Sequence, residues 1–365
     1  MSVSASPQRQ SKATSLSTRS SQDSSFFAAT GAPSVVITRT PPKPSAVFDT
    51  YWKFATERQA VFHARANGTP APWTQDPILR DHRFTNVYRA ADRVSQYLIQ
   101  EVIYNADHDW PSTLLRVLLF KIFNKISTWE LIRSQVGIVS AGNFPHARIA
   151  RALDQAIEDG ATIYSGAYIM PSGPAASRQS RKHHMHLDLL DGISRSGLAE
   201  TLSKATSLND AYKLMLAVPS FGPFLAYQYI IDLNYSSHLN FSEMDFVVPG
   251  PGARDGIQKC FHDLGDYDEA DAVRWMADRQ QHEFEKRGLQ FQSLWGRPLQ
   301  LIDCQNLFCE VDKYARVAHP EVKGLSGRTR IKQRFSPQHS ALRLWFPPKW
   351  GLNAYLQREQ SQAGQ

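Results

Sequence analysis

The stretch from Val218 to Gln228 constrains the fold more than any other: Val-Pro-Ser-Phe-Gly-Pro-Phe-Leu-Ala-Tyr-Gln. Good helix formers run from Ala205 to Ala217. Pro219 stops that run, because its ring removes an N–H donor and clashes with the preceding turn. Gly222 permits a positive φ and the close approach of another backbone. Pro223 suits the first position of a new helix, where a missing N–H costs nothing. Leu225, Ala226, Tyr229, Ile230 and Leu233 then recur at helical spacing. The prediction is helix, tight hairpin, helix. Such a hairpin aims free N–H groups outward and is a ready anion site, with Ser220 and Gly222 at its tip. An isolated Pro-x-x-Gly is more often a plain helix corner.

Composition narrows the classes. The chain has 365 residues, 42% hydrophobic and 21% charged, enough for one large core or two modest ones. No apolar run approaches the roughly 18–20 residues a membrane span needs. Cys260, Cys304 and Cys309 include no CxxC pair, which argues against a disulfide scaffold and a four-cysteine cluster. The formal charge of +7 suits an anionic partner. Residues 1–46 hold five of the cations and one acid, so about +3 remains for the rest. Binding must then rest on local patches.

The hairpin residues carry a resemblance. Pro-Ser-Phe-Gly-Pro-Phe-Leu-Ala resembles the hairpin of helix-hairpin-helix DNA glycosylases, Leu-Pro-Gly-Val-Gly-x-x-Ala. In that superfamily an Asp follows after further helix and a loop, where Asp245 stands here. Two positions depart from the pattern. The first hairpin Gly is Ser220, and the Lys of lyase-type members is Phe224, so no Schiff base is implied.

A closer resemblance runs from about Val47 to Trp345. Its pieces are Tyr51 to Gln59, Arg83-Phe84-Thr85-Asn86-Val87-Tyr88-Arg89, Val247 to Ala253 with Gly250 and Gly252, and Cys309-Glu310-Val311-Asp312-Lys313-Tyr314. These resemble the helical domain of 5-hydroxymethyl-deoxyuridine DNA kinases. That domain is similar to the α-glutamyl/putrescinyl-thymine pyrophosphorylases, glycosylase-like proteins linked to hypermodification of thymine in DNA. The resemblance implies an all-α, glycosylase-like helical bundle. It implies DNA as partner, with the pyrimidine turned out of the stack, and a separate kinase or base-hydroxylating enzyme. No GxxxxGK[ST] occurs, so the phosphate-binding loop of a kinase half is not in this sequence.

Taken in order, residues 1–46 are Ser/Thr-rich and Pro-punctuated, and a disordered basic tail is expected. Such a start also imitates a transit peptide. Residues 47–350 form the domain and 351–365 a fraying tail. Helices are expected over 48–63, 83–103, 111–126, 129–136, 144–158, 187–205, 253–261, 270–287 and 299–318, with a strand or short hairpin over 161–170 and a linker over 171–179. In the second helix Arg89 and Arg93 share a polar side with Asn86 and Gln96, facing either solvent or phosphate. His183, His184 and His186 have no carboxylate or cysteine at metal-site spacing, so a basic surface is expected there, with no metal and no cofactor.

In 299–318, Leu301, Cys304, Phe308, Val311 and Ala315 make a buried stripe. Asp303, Asn306, Glu310 and Lys313 line the opposite one, either a solvated face or a pocket wall. Lys323 to Arg334 carries five cations and no acid, and Arg328, Arg330 and Lys332 are read as phosphate contacts.

Asp245 is the first catalytic candidate. A carboxylate there can stabilise a sugar cation, activate water or deprotonate an amine, and its alternative is a helix cap. Glu310 is the second. Three functions stay open: group transfer on a hydroxymethylated or phosphorylated thymine-type base, N-glycosylase action, and non-catalytic reading of modified DNA. A nuclear or otherwise intracellular site is expected.

Overall fold

Capping side chains fix where several helices begin. Ser45, Asp76, Asp109, Ser207 and Asp268 each accept from a backbone N–H of the following first turn. The structure, a computed structural model, describes residues 39–106, 109–171, 181–337 and 342–363. Its helices are α1 (Ala46–Ala66), α2 (Pro77–Asp81), α3 (Arg93–Tyr97), α4 (Trp110–Phe123), α5 (Ile126–Val136), α6 (His146–Glu158) and α7 (Lys182–Arg195). There follow α8 (Leu198–Ser203), α9 (Leu208–Leu216), α10 (Pro223–Leu233), α11 (Pro251–Cys260), α12 (Glu269–Lys286), α13 (Leu301–Ala318) and α14 (Asn353–Ala363). The all-α expectation holds. Among the described residues the only sheet is the antiparallel pair β1 (Lys43–Pro44) and β2 (Phe261–Asp263). No described helix is long and apolar enough to cross a membrane.

The core has two centres. One is α4, with Leu114, Leu115, Val117, Leu118, Leu119, Phe120, Ile122 and Phe123 all buried, as an all-round apolar helix requires. The other is α13, whose Leu301, Cys304, Phe308, Val311 and Ala315 are buried against α1, α11 and α12. Its ring contacts include Tyr51 against Phe308 at 4.8 Å. Helices α11 and α13 approach so closely that a Cβ on Gly256 would lie 2.0 Å from the Phe308 carbonyl oxygen. Lys259 and Asp312 pair across the same seam at 2.9 Å, both buried.

The largest correction concerns residues 83–103. One amphipathic helix was expected, but residues 83–88 are irregular. A 3₁₀ turn over Arg89–Ala91, the short α3 and a π-helix over Leu98–Tyr104 follow. Local side-chain bonds explain the break. The Asp92 carboxylate accepts the Asn86 N–H at 2.7 Å, and the Asn86 amide donates to the Ala91 carbonyl at 2.7 Å. Three further backbone groups of this loop are met by α13. Glu310 accepts from Thr85 N at 2.9 Å, and Asp303 from Arg89 N at 2.8 Å. Asn306 donates to the Asn86 carbonyl at 2.8 Å. The polar stripe of α13 is therefore a docking rail for a loop.

Other expectations shift more locally. Residues 161–170 form no strand, and Tyr168 there has φ +57. The helix expected over 187–205 breaks at Gly197, with φ +69. In the expected tail, Asn353–Ala363 forms α14, and Leu352 and Leu356 are buried. The basic surface expected at His183 and His186 is buried; His186 meets the Tyr164 hydroxyl at 2.9 Å. Residues 39–46 of the expected tail hold to the fold: Thr40 N donates to the Asp266 carboxylate at 2.6 Å. Residues 1–38 and most of the expected linker lie outside the described residues.

Two outcomes test this packing. Gly256→Ala should lower stability by about 2 kcal/mol or more in chemical denaturation, since the obstacle is backbone. Burial lifts the Asp92 carboxyl to about 7, against its Asn86 N–H bond and Arg58. The folded form thus holds a proton that the unfolded chain has lost. The stability this adds is complete below about pH 4 and gone above about pH 7. Asp92→Asn, which keeps the acceptor, should flatten the decline by on the order of 1–2 kcal/mol, read from denaturation at pH 4, 5.5 and 7.

Candidate active site

Two helices begin side by side in the same way. Gly222 caps α10 with φ −76 and ψ 170, and Gly250 caps α11 with φ −78 and ψ 171; a proline follows each. Glycine caps bring no side chain, and no described side chain accepts from the first-turn N–H groups of either helix. The two ends touch: a Cβ on Gly250 would lie 2.5 Å from the Phe224 ring. Gly222 differs, because a Cβ there would meet nothing within 4 Å. Its position is exposed and open to an outside partner. Ser220 takes φ +68, the left-handed backbone that glycine favours, so the bend keeps its shape without glycine.

An aromatic shelf lies beside these ends. Tyr168 stacks on Phe224 with centroids 5.8 Å apart and planes 1° from parallel, and both rings are half-buried. Beneath them is a buried charged cluster. Lys121 Nζ lies 4.4 Å from the Tyr168 ring centroid and 3.4 Å from Asp232 Oδ2. Arg89 holds Asp232 Oδ1 at 2.7 Å and donates to the Tyr235 hydroxyl at 3.1 Å. Arg89 also donates to Gln228, Gln228 to Gln305, and Gln305 to the Cys309 sulfur at 3.8 Å. Cys309 sits against Gly252, where a Cβ would lie 3.2 Å from its sulfur. Burial holds the Lys121 ammonium down to about 8 although Asp232 favours the charge, so a neutral amine is accessible near neutral pH. Burial pushes the Cys309 thiol to about 12, so it stays protonated.

The sequence-derived candidates separate. Gly222 and Gly250 meet through Phe224, with Ser220 in the same bend and Gly252 in the first turn of α11. Arg89 is only 3% exposed and fully engaged, so it is not the surface phosphate contact that a helical stripe suggested; the loop on α13 carries it inward. Arg93 is exposed. Asp245 is exposed and accepts from Leu208 N at 3.0 Å, the capping arrangement. Glu310 is buried, holding Thr85 N and Lys313. Asp245 and Glu310 make no contact with each other among the described residues.

The basic segment is fastened at both ends. Asp255 of α11 accepts from Ser326 N at 2.8 Å, and Arg83 N donates to the Gln333 carbonyl at 3.1 Å. Between these points Arg328, Arg330 and Lys332 are exposed, and their side chains pair with no described residue.

Sequence reasoning missed Lys121, Asp232, Tyr168, Gln228 and Gln305. The signal lay in composition: Asp232 is the one charge of α10, Lys121 is one of two in the otherwise apolar α4, and a buried charge needs a partner. Spacing along the chain also hid a carboxylate near the histidines. Asp154 of α6 meets His183 at 3.0 Å and His184 at 2.9 Å, and the three ligand atoms lie within 4.8 Å of one another. Arg181 already occupies Asp154 at 2.6 Å.

Comparison with known proteins gives two findings. The family model described as "5-hmdU DNA kinase, helical domain" matches residues 45–324. A curated protein of Bacillus phage SP10, named 5-hmdU DNA kinase, is 28% identical over 302 residues. The match covers 77% of this chain and 46% of that protein, so the chain spans about half its relative's length. No solved structure matches.

The cluster makes a sharp prediction. Asp232→Asn leaves Arg89 and Lys121 buried without a counterion. It should cost about 3–5 kcal/mol in chemical denaturation. The triple change Arg89→Met, Lys121→Met and Asp232→Leu should recover most of that loss, because no unpaired charge remains.

Proposed function

We propose, for a chain that belongs to the family of 5-hmdU DNA kinase helical domains, that it binds DNA and transfers a group to a hydroxymethylated thymine-type base turned out of the stack. The observation that carries this reading is the coincidence at one place of paired uncapped helix ends, an aromatic shelf and a buried amine. The helix ends and the Arg328–Lys332 segment take phosphates. Tyr168 and Phe224 offer ring faces to the everted pyrimidine.

The acceptor carbon is the exocyclic methylene, bearing a phosphate or pyrophosphate. A primary amine attacks it, so a C–N bond forms as the C–O bond breaks. The phosphate leaves with the bonding electrons and carries its charge toward the uncapped N–H groups. Lys121 as neutral amine takes the proton released from the new C–N centre. Asp232 holds the resulting ammonium, and Arg89 holds Asp232. The Tyr168 ring covers Lys121 and must swing aside for the base to enter. Asp245 is the alternative base; to act it must release the Leu208 N–H and turn toward the everted base.

Binding and chemistry are tested separately. Charge reversal at Arg328 and Arg330 should weaken duplex binding at least about ten-fold at moderate salt and cut the log K against log salt slope by about 2. Turnover is measured on DNA bearing pyrophosphorylated 5-hydroxymethyluracil, with putrescine as the amine and mass spectrometry of the product. The wild-type rate should rise through about pH 8 and be lost in Lys121→Met, while Asp245→Asn turns over normally. Release of free base with abasic sites would show an N-glycosylase instead. Loss of turnover in Asp245→Asn alone would move the base to Asp245.

A further inference from the structure

A cavity of ≈ 310 Å³ opens between α1, α2 and residues 335–337. That is the lower end of the range for small-molecule sites. Three arginines line it, Arg58, Arg65 and Arg80, and no lining residue is acidic. Its other walls are flat or apolar: Trp73, Leu79, Phe84 and Phe335 among them. Trp73 and Phe335 meet edge to face at 6.2 Å, and the Arg65 guanidinium lies 5.0 Å from the Trp73 ring centroid.

Two lining groups lack partners. Arg58 is only 8% exposed, and its Nη1 has no hydrogen-bond partner, although Nη2 donates to Asn86 Oδ1 at 2.5 Å. His82 Nδ1 is likewise buried and unpaired. A buried donor without an acceptor is costly, and more so when charged. Nearby carboxylates are engaged elsewhere. Asp76 caps α2 and accepts from Tyr314, and Asp81 pairs with Arg80 at the exposed rim at 3.0 Å. Burial brings Arg58 down to about 10, with Asp92 and Glu310 only partly opposing.

We propose that this cavity is a second ligand site, for a small organic anion with a phosphate or carboxylate on a flat apolar ring. The ring lies along the aromatic walls, and the anion reaches Arg58 Nη1 with Arg65 closing over it. Phosphate and carboxylate are both bound by a guanidinium fork, and the test tells them apart. The inference does not rest on the group-transfer reading, because no residue of this cavity belongs to the Lys121 cluster.

Calorimetry on the full chain uses four probes: 1-naphthyl phosphate, 1-naphthoate, neutral 1-naphthol and inorganic phosphate. One or both ring anions should bind one to one, at least about ten-fold more tightly than naphthol or inorganic phosphate. The stronger of the two anions identifies the head group. Arg65→Met, at the half-buried rim, should weaken that binding about ten-fold or more with its melting temperature unchanged. Arg58→Met should do the same if it folds, and Lys121→Met should not affect it. The proposal is overturned if neither anion saturates by about 1 mM, if naphthol binds as well as the anions, or if Arg65→Met binds like wild type.

Discussion

Backbone groups that leave a helix must find partners elsewhere, and the loop over residues 85–89 finds three of its partners on one face of α13. Asp303, Asn306 and Glu310 follow one another up that helix and meet the loop at Arg89, Asn86 and Thr85 in turn. The arrangement is costly. Burial, with Glu243 adding to it, lifts the Asp303 carboxyl to about 7. Its return is positional. The loop is held in a single register, and Arg89 is carried from the surface into the centre of the bundle. Without that rail, Asp232 and Lys121 would face each other with no second cation to balance the geometry.

What was legible in the sequence follows from the range of the forces involved. The hairpin could be read because Pro219 and Pro223 act on their own turns, and the buried stripe of α13 because its period is a property of one helix. The polar stripe of α13 was equally visible, but periodicity shows which residues share a face and not what lies opposite. Residues 83–103 were misread for a related reason. Their apolar spacing fits a helix, yet Asn86 and Asp92 offer the backbone closer partners than a helix does. Lys121, Asp232 and Tyr168 come from three separate segments, and only packing brings them together. Asp154 and the histidines of α7 are the same case on a smaller scale.

A buried Arg–Asp–Lys cluster is weak support for stability, since well-packed apolar residues of similar volume often hold a core as firmly. Its value must therefore lie elsewhere. Here one member, Lys121, lies directly beneath a half-buried ring, and burial brings its ammonium down to about 8. Perturbed groups of this kind cluster at functional sites. Glu310 lacks this access: it is buried and spent on Thr85 and Lys313. Asp245 has access but stands in bulk water with a helix N–H to hold.

The same division explains the two glycines that begin α10 and α11. If both were required only by packing, both would be crowded, yet only Gly250 is. Gly250 is small so that Phe224 can lie across it, which joins the two helix ends and positions the ring under Tyr168. Gly222 is small with nothing of this chain against it, and it sits at an uncapped, exposed helix end. Under the proposed reading, a phosphate of the strand approaches that bare helix end. The unpaired cations of the neighbouring segment, fastened to α11 through Asp255, then continue the same track of positive charge away from the bend.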